Sequence, residues 1–347
     1  MDIKLYEKIA SLHGVSGRES EVGKFCKEEL KKYTTDIYQD GFGGVFGKFK
    51  GDGPTIMVTG HMDEIGAMVT DITPSGFLKV IPIGGVNPEA FVSQNVYVTV
   101  KDKKIRGVFS SIPPHISKDN HVTFNDLLVD VGADSYEHAV SMGIKKGCMV
   151  TPIDYFYVTE DGKKMVSKAF DDRLGCAVVL EIAKEMVNIK HPNNVVLGMT
   201  TQEEVGLRGA KVSVPMFEPD LFITVDVSPA SDYLGKPDQG KLGGGFLIRY
   251  FDPGCIMKPE LMEYFEELAT KENIKFQYFR SGGGTDAGAA QYVKFGTLAT
   301  TVGVLGRYIH SPATMVHMDD IEAAKKFVIK LIECFDNEAL KKVQNIY

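Results

Sequence analysis

The chain has 347 residues, 44% of them apolar and 24% charged, with 39 basic against 46 acidic side chains and a net charge of −7. This is ordinary globular composition, long enough for one large domain or two moderate ones, and it excludes a disordered, fibrous or disulfide-stapled chain. There is no basic footprint for nucleic acid, and no apolar run approaches the roughly 20 residues that a membrane helix needs.

The first residues, MDIKLYEKIASL, lack the apolar stretch and small-residue cleavage site of a secretory signal. Five cysteines (Cys26, Cys148, Cys176, Cys255, Cys334) are widely spaced, odd in number and without a C-x-x-C pair. That points away from disulfides or structural zinc and toward a reducing cytoplasm. Residues 4–12 and 19–33 read as helices, with Ser16-Gly17-Arg18-Glu19 as a capping box opening the second. Residues 41–53 alternate glycine with apolar residues and predict a hairpin. Residues 55–59 form a short buried strand that stops at Gly60-His61-Met62-Asp63-Glu64.

Between residues 67 and 154 the texture changes. Strand-like pieces at 77–83, 96–100 and 105–109 alternate with turns, and only one helix is expected, near 135–142. This predicts a small β-rich module inserted into a larger α/β chain, which would then comprise residues 1–66 and 155–347. After Lys168 the α/β rhythm resumes. A helix at 173–186 is followed by a buried strand at 195–200, which ends at Gln202-Glu203-Glu204. A strand at 221–225 ends in Asp226, a helix spans 260–271, a strand spans 296–304, and a closing helix runs from 321 to 340.

Four apolar strands thus run out into ligand-type residues: His61 and Asp63, Glu203 and Glu204, Asp226, and His310 six residues past its strand. Sites in open α/β sheets form at the carboxyl ends of strands. A further pair, Asp171-Asp172, directly precedes a helix. Two histidines and several carboxylates without cysteine suit zinc, manganese or cobalt. If the ligands are His61, Asp171, Glu204, Asp226 and His310, three carboxylates face two divalent ions, and a bridging hydroxide brings the site near neutrality. Such a pair of ions suits hydrolysis of an amide or ester. Asp63, two residues after His61, is expected to accept a hydrogen bond from the second imidazole nitrogen. Glu203 and Glu204 on an extended strand would point opposite ways, so that one can ligate while the other acts as general base. The same divergence argues against a glycosidase pair, whose carboxyls face each other. His13, His115, His121, His138, His191 and His317 read as surface or turn residues. Gly282-Gly283-Gly284-Thr285-Asp286 lacks the Lys-Ser/Thr of a phosphate loop.

Six segments together resemble the M42 family of metallo-aminopeptidases. They are Gly60–Gly66, Ala169–Gly175, Gln202–Ala210, Val225-Asp226, Gly283–Gly288 and Arg307–Ser311, in the family's order. The likeness is greatest to bacterial glutamyl aminopeptidases. It implies an α/β/α sandwich catalytic domain carrying an inserted β-barrel, PDZ-like dimerisation domain at 67–154. It implies two divalent ions per subunit (zinc, cobalt or manganese), one held by His61 and Asp226, the other by Glu204 and His310. Asp171 would bridge them, Glu203 would be the general base, and the Asp171–Asp172 peptide would be cis. It also implies peptide substrates and a hollow dodecamer built from dimers, with no nucleic acid or membrane partner. Arg249 follows an apolar strand in a segment resembling glutamyl aminopeptidases. It is either the cation that selects an acidic first residue or a strand-end arginine paired with Asp252. A broad or leucyl-type aminopeptidase is the alternative activity, and a glycan hydrolase a more distant one.

Overall fold

The computed structural model describes residues 1–113, 116, 122–235 and 240–344. His115 and His121 lie outside the described residues. Period-two alternation builds the main sheet. Along Thr55–His61, Ile56 and Val58 join one apolar cluster while Met57 joins another on the opposite face. The neighbours repeat the pattern, with Val195 and Leu197 opposite Val196, and Leu221 and Ile223 opposite Phe222. A sheet buried on both faces needs helices on both. Helix Phe170–Glu185 covers one face; Arg208–Phe217 and Asp286–Ala290 cover the other. The fold is therefore α/β, a sandwich of helices around a mixed sheet.

At the centre of that sheet four strands run parallel in the order Asn194–Thr200, Thr55–His61, Leu221–Pro229, Leu298–Arg307. Antiparallel strands extend both sides, from Val45–Phe49 and Ile37–Gln39 to Thr314–His317, Lys164–Ser167 and Phe156–Val158. Strand Phe246–Phe251 pairs antiparallel with Leu298–Arg307 and parallel with Phe276–Arg280. A second sheet closes on itself as a six-stranded barrel in the order Gly66–Ile72, Leu78–Ile83, Leu128–Asp130, Lys103–Phe109, Asn95–Val100, Met149–Pro152. Phe91 and Phe124 each pack edge to face on Phe109 inside it. Among the described residues no helix is long and apolar enough to cross a membrane.

Several expected elements differ. The hairpin is Ile37–Gln39 with Val45–Phe49, because the Asp40 carboxylate folds the turn by accepting from the amides of Phe42 and Gly44 at 2.8 and 2.9 Å. Ser16 does not cap helix Ser20–Leu30; its hydroxyl donates to Asp63 instead. Strands Gly66–Ile72, Leu128–Asp130 and Met149–Pro152 have no counterpart in the sequence reading. Strand Leu221–Pro229 continues through Asp226, and the strand before His310 reaches Arg307. The closing helix is two, Met318–Cys334 and Asn337–Gln344; Phe335 leaves the helical region, and Asp336 caps the second by accepting from Glu338 and Ala339. His13 is fully buried against the barrel, with Nδ1 2.7 Å from Thr151 Oγ1, and burial drives its pKa far down. His317 is also buried, at the start of helix Met318–Cys334. Neither lies at the surface, though His13 does stand in the connection after helix Ile3–Ser11.

A charged cluster sits inside the sandwich. Arg173, fully buried, donates to the carbonyls of Met62, Ile9, Leu12 and Gly14 and to Glu64 at 2.5–3.3 Å. Lys168 Nζ reaches Glu64 at 2.7 Å and the Leu12 carbonyl at 2.8 Å. Breaking such a buried network by removing one partner costs about 3–5 kcal/mol, because the remaining groups stay buried and unpaired. Arg173→Met is expected to lose that much in urea unfolding. A loss below about 1 kcal/mol would mean that apolar packing alone holds the turn after His61.

Candidate metal centre

The carboxyl ends of the parallel strands deliver the site. His61 is the last residue of its strand, Asp226 lies within Leu221–Pro229, and Glu203-Glu204 occupy the turn after Thr200. Asp171 enters from the start of helix Phe170–Glu185, where Asp171 and Asp172 are non-helical and joined by a cis peptide bond. The helix start approaches so closely that two positions admit only glycine. A Cβ at Gly60 would lie 2.6 Å from the Cys176 amide nitrogen, and one at Gly175 would lie 2.2 Å from the Val225 carbonyl oxygen.

Asp171 stands between the two imidazoles. Its Oδ1 is 3.3 Å from His61 Nε2, and its Oδ2 is 3.3 Å from His310 Nε2. Two donor groups result, His61–Asp171–Asp226 and Asp171–Glu204–His310, each with its ligand atoms within 4.8 Å of one another. Glu203 belongs to neither; its Oε2 is 4.0 Å from His61 Nε2. Both imidazoles give their Nδ1 proton to a main-chain carbonyl, His61 to Asp63 at 3.0 Å and His310 to Gly85 at 2.7 Å. Carbonyls only accept, so Nδ1 carries a proton in each ring and Nε2 is the atom turned to the carboxylates. Glu204 Oε1 is buried without a hydrogen-bond partner. A donor set of oxygen and imidazole nitrogen with a shared carboxylate and an orphaned carboxylate oxygen fits two divalent cations.

The cavity above these groups measures about 580 Å³ and is walled by Leu207, Val227, Arg249, Gly284 and Ile309. Arg249 is buried there. Its Nε lies 3.1 Å from Asp252 Oδ2, and Nη2 donates to the Gly283 carbonyl. The arginine therefore has its strand-end partner and borders the cavity as well.

Two expectations about the turn change. The carboxylate of Asp63 stands 3.5 Å from His61 Nδ1, farther than its own main-chain carbonyl. It instead receives the amides of Glu203 and Glu204, at 3.0 and 3.2 Å, and the Ser16 hydroxyl at 2.6 Å. Glu203 and Glu204 lie in a turn, so both line the same cavity, and their roles separate by distance to the donor groups and not by opposite faces of a strand. Other supporting residues stand in segments that the sequence singles out, the capping box for Glu19 and the acidic pair for Asp172, but nothing local reveals what they hold. Glu19 receives the Gln202 amide at 3.0 Å, and Asp172 receives the His61 and Gly175 amides. Asp286 receives the Thr200 hydroxyl at 2.5 Å, and its acid type within the glycine-rich segment was the available hint.

Asp171, Glu203, Glu204 and Asp226, buried together, change one another's protonation. Burial, and then the charge of Asp171, push Glu204 up to about 8 and Asp226 up to about 7. Burial raises Glu203 well above the carboxylate range. Burial would raise Asp171 too, but hydrogen bonds from His310 and His61 hold it well below that range. The Asp171 hydrogen bond pushes His310 up to about 10.

The family profile described as M42 glutamyl aminopeptidase matches residues 43–327. The glutamyl aminopeptidase of Lactococcus lactis subsp. cremoris is 37% identical over 99% of this chain and 100% of its own. The lysyl aminopeptidase of Pyrococcus furiosus is 31% identical over 96% of this chain and 97% of its own. The structure of the Pyrococcus horikoshii TET1 peptidase, described as assembling into a tetrahedron or a large octahedral shell, superposes with a TM-score of 0.88. It is 30% identical and covers 95% of this chain and 98% of that one.

Cations entering this site must displace protons from Glu204, Asp226 and His310. Groups with raised pKa values take up those protons already near neutral pH, so affinity for Zn²⁺ or Mn²⁺ is expected to drop as pH falls from 8 to 6. The fall is about tenfold per pH unit for each proton displaced. Competition against a fluorescent chelator measures it. An affinity flat across that window would contradict the raised values.

Proposed function

Given that the chain belongs to the M42 peptidase family and is a peptide hydrolase, we propose that it is a dimetal aminopeptidase that removes N-terminal residues from peptides and prefers Glu and Asp. The observation that carries the dimetal part is the Asp171 carboxylate shared, at 3.3 Å on each side, between His61 and His310. In this proposal His61 and Asp226 hold one divalent ion (zinc, cobalt or manganese), Glu204 and His310 hold the other, and Asp171 bridges them. When bound, the ions supply the polarisation of the scissile carbonyl and the activation of water.

The protein's own groups do the rest. Glu203, outside both donor groups yet lining the cavity, takes a proton from the attacking water and returns it to the departing amine. Asp63 holds the amides of Glu203 and Glu204 and so fixes where the base stands. Arg249, on the cavity wall, offers a carboxylate side chain a planar donor while Asp252 and Gly283 hold its other side. The first residue's selectivity is the part that similar proteins divide on, since one relative is a glutamyl and another a lysyl aminopeptidase.

The barrel, whose strands span Gly66 to Pro152, supports reading residues 67–154 as the inserted dimerisation domain and 1–66 with 155–347 as the catalytic one. The likeness to a shell-forming peptidase supports a homo-oligomer, a dodecamer built from dimers, that admits unfolded peptides. All five cysteines are free, four of them buried, which suits the cytoplasm.

A panel of Glu-, Asp-, Leu- and Lys-p-nitroanilides tests the activity. Wild-type protein is expected to favour the acidic pair. Glu203→Gln should keep its metal content and lose about 10²–10⁴-fold in kcat on every substrate. Arg249→Ala should lose the acidic substrates by about 2–4 kcal/mol of transition-state binding, and Leu much less. Metal lost in step with activity would make Glu203 a ligand, and equal losses on Glu and Leu would make Arg249 structural. Sedimentation velocity at micromolar concentration is expected to show twelve subunits; monomer alone would contradict the assembly.

A further inference from the structure

The two imidazoles are held by different parts of the molecule. His61 is 2% exposed, and its Nδ1 acceptor is the carbonyl of Asp63, within its own turn. His310 is 38% exposed and sits in the left-handed region at φ +56°, in a segment where Tyr308 is also left-handed at +62°. Ser311 ties that segment together by donating to the Tyr308 carbonyl and accepting from the Ala313 amide, and Tyr155 donates to Pro312. None of these bonds touches the ring. The ring's Nδ1 partner is Gly85, 225 residues away, in the loop after barrel strand Leu78–Ile83.

That loop is fitted to the site. Gly84 turns at φ +85°, and a Cβ there would lie 3.1 Å from Glu204 Oε2. A Cβ at Gly85 would lie 3.1 Å from His310 Nδ1 and 3.3 Å from Cε1. Gly85 also lines the same cavity as Glu203 and Asp226. Two consecutive glycines thus bring barrel main chain against two groups of the second donor set, where any side chain would intrude.

We propose that the barrel completes the metal centre: the Gly85 carbonyl orients His310, and the seating of residues 84–85 sets the affinity of the Glu204–His310 position selectively. The inference rests on reading His310 as a ligand. Gly85 is a positioning residue, acting through the imidazole. An acceptor on the far nitrogen fixes tautomer and ring angle and makes Nε2 a better donor. Loss of such a partner typically lowers metal affinity about 10–100-fold. The His61 position carries its acceptor in its own turn and takes none from the barrel. Anything that shifts the barrel against the sandwich, subunit pairing included, would therefore act on one ion and not on the other.

The test titrates Zn²⁺ into the metal-depleted full chain by calorimetry for wild type, Gly85→Ala, Gly85→Val, His310→Ala and Gly143→Ala. Gly143 is a glycine of the same module whose added Cβ would meet Val100, not the site. Urea midpoints of the metal-free proteins provide the folding control. Gly85→Ala is expected to keep one ion at wild-type affinity and weaken the other about 10–100-fold. Gly85→Val should weaken it further, and Gly143→Ala should leave both unchanged. If His310→Ala loses one ion but both Gly85 variants keep two at wild-type affinity, the proposal is overturned and the ligand reading stands. Two ions retained by His310→Ala would overturn both. Equal weakening at both positions, or weakening in Gly143→Ala, would make the loop a general support for the fold and also overturn the proposal.

Discussion

A single carboxylate, Asp171, sits 3.3 Å from each of two imidazoles, in the company of Asp226, Glu203 and Glu204. Much of the molecule answers to that placement. Charges of one sign removed from water need compensation, by protons or by cations. The pressure is visible in the carboxylates around Asp171, which burial and its charge push up to about 8 at Glu204 and about 7 at Asp226. Divalent ions relieve it better than protons, because each meets several oxygens at once. Gly60 and Gly175 follow from the same demand, since the helix bearing Asp171 must touch the strands bearing His61 and Asp226.

The surroundings of the site are built to hold carboxylates still. Asp63 receives two consecutive amides of the turn that carries Glu203 and Glu204, and Glu19 receives the amide just before them. Charge-assisted bonds of this kind are shorter and stronger than neutral ones. Beneath them, Arg173 and Lys168 close around Glu64 and bind the carbonyls of residues 9–14 to the turn after His61. The network joins three separate chain segments beneath the two donor groups. A buried ion cluster of this sort is weak evidence for stability but constrains geometry, because removing any member strands the others.

The site was more legible in the sequence than the fold around it. His61, Asp226 and Glu204 were visible because strands with buried faces must run out somewhere, and the polar residues at their ends break an apolar pattern. Asp226 lies inside its strand all the same, since the strand continues along the cavity wall. Periodicity could not reveal who holds whom. Asp63 was expected on its imidazole and is found chiefly on a turn 140 residues later, and Ser16 was expected as a helix cap and is found on Asp63. Both are long-range hydrogen bonds, and local pattern carries no information about them. The barrel's first strand was lost because Gly66–Ile72 starts where a catalytic motif ends and mixes glycine, threonine and aspartate. The contact of Gly85 with His310 had no signal beyond a glycine pair.

Taken together, the parallel strands set where the donors emerge, the buried charge network sets their height, and the barrel loop closes the side at His310. The central claim is that Asp171 is shared by two ions. Anomalous diffraction from crystals of the full chain soaked in Zn²⁺ or Co²⁺ tests it directly. The account predicts two peaks about 3.5–4 Å apart, one beside His61 and Asp226, the other beside Glu204 and His310, with one Asp171 oxygen on each. A single peak, or two peaks of which only one touches Asp171, would contradict it.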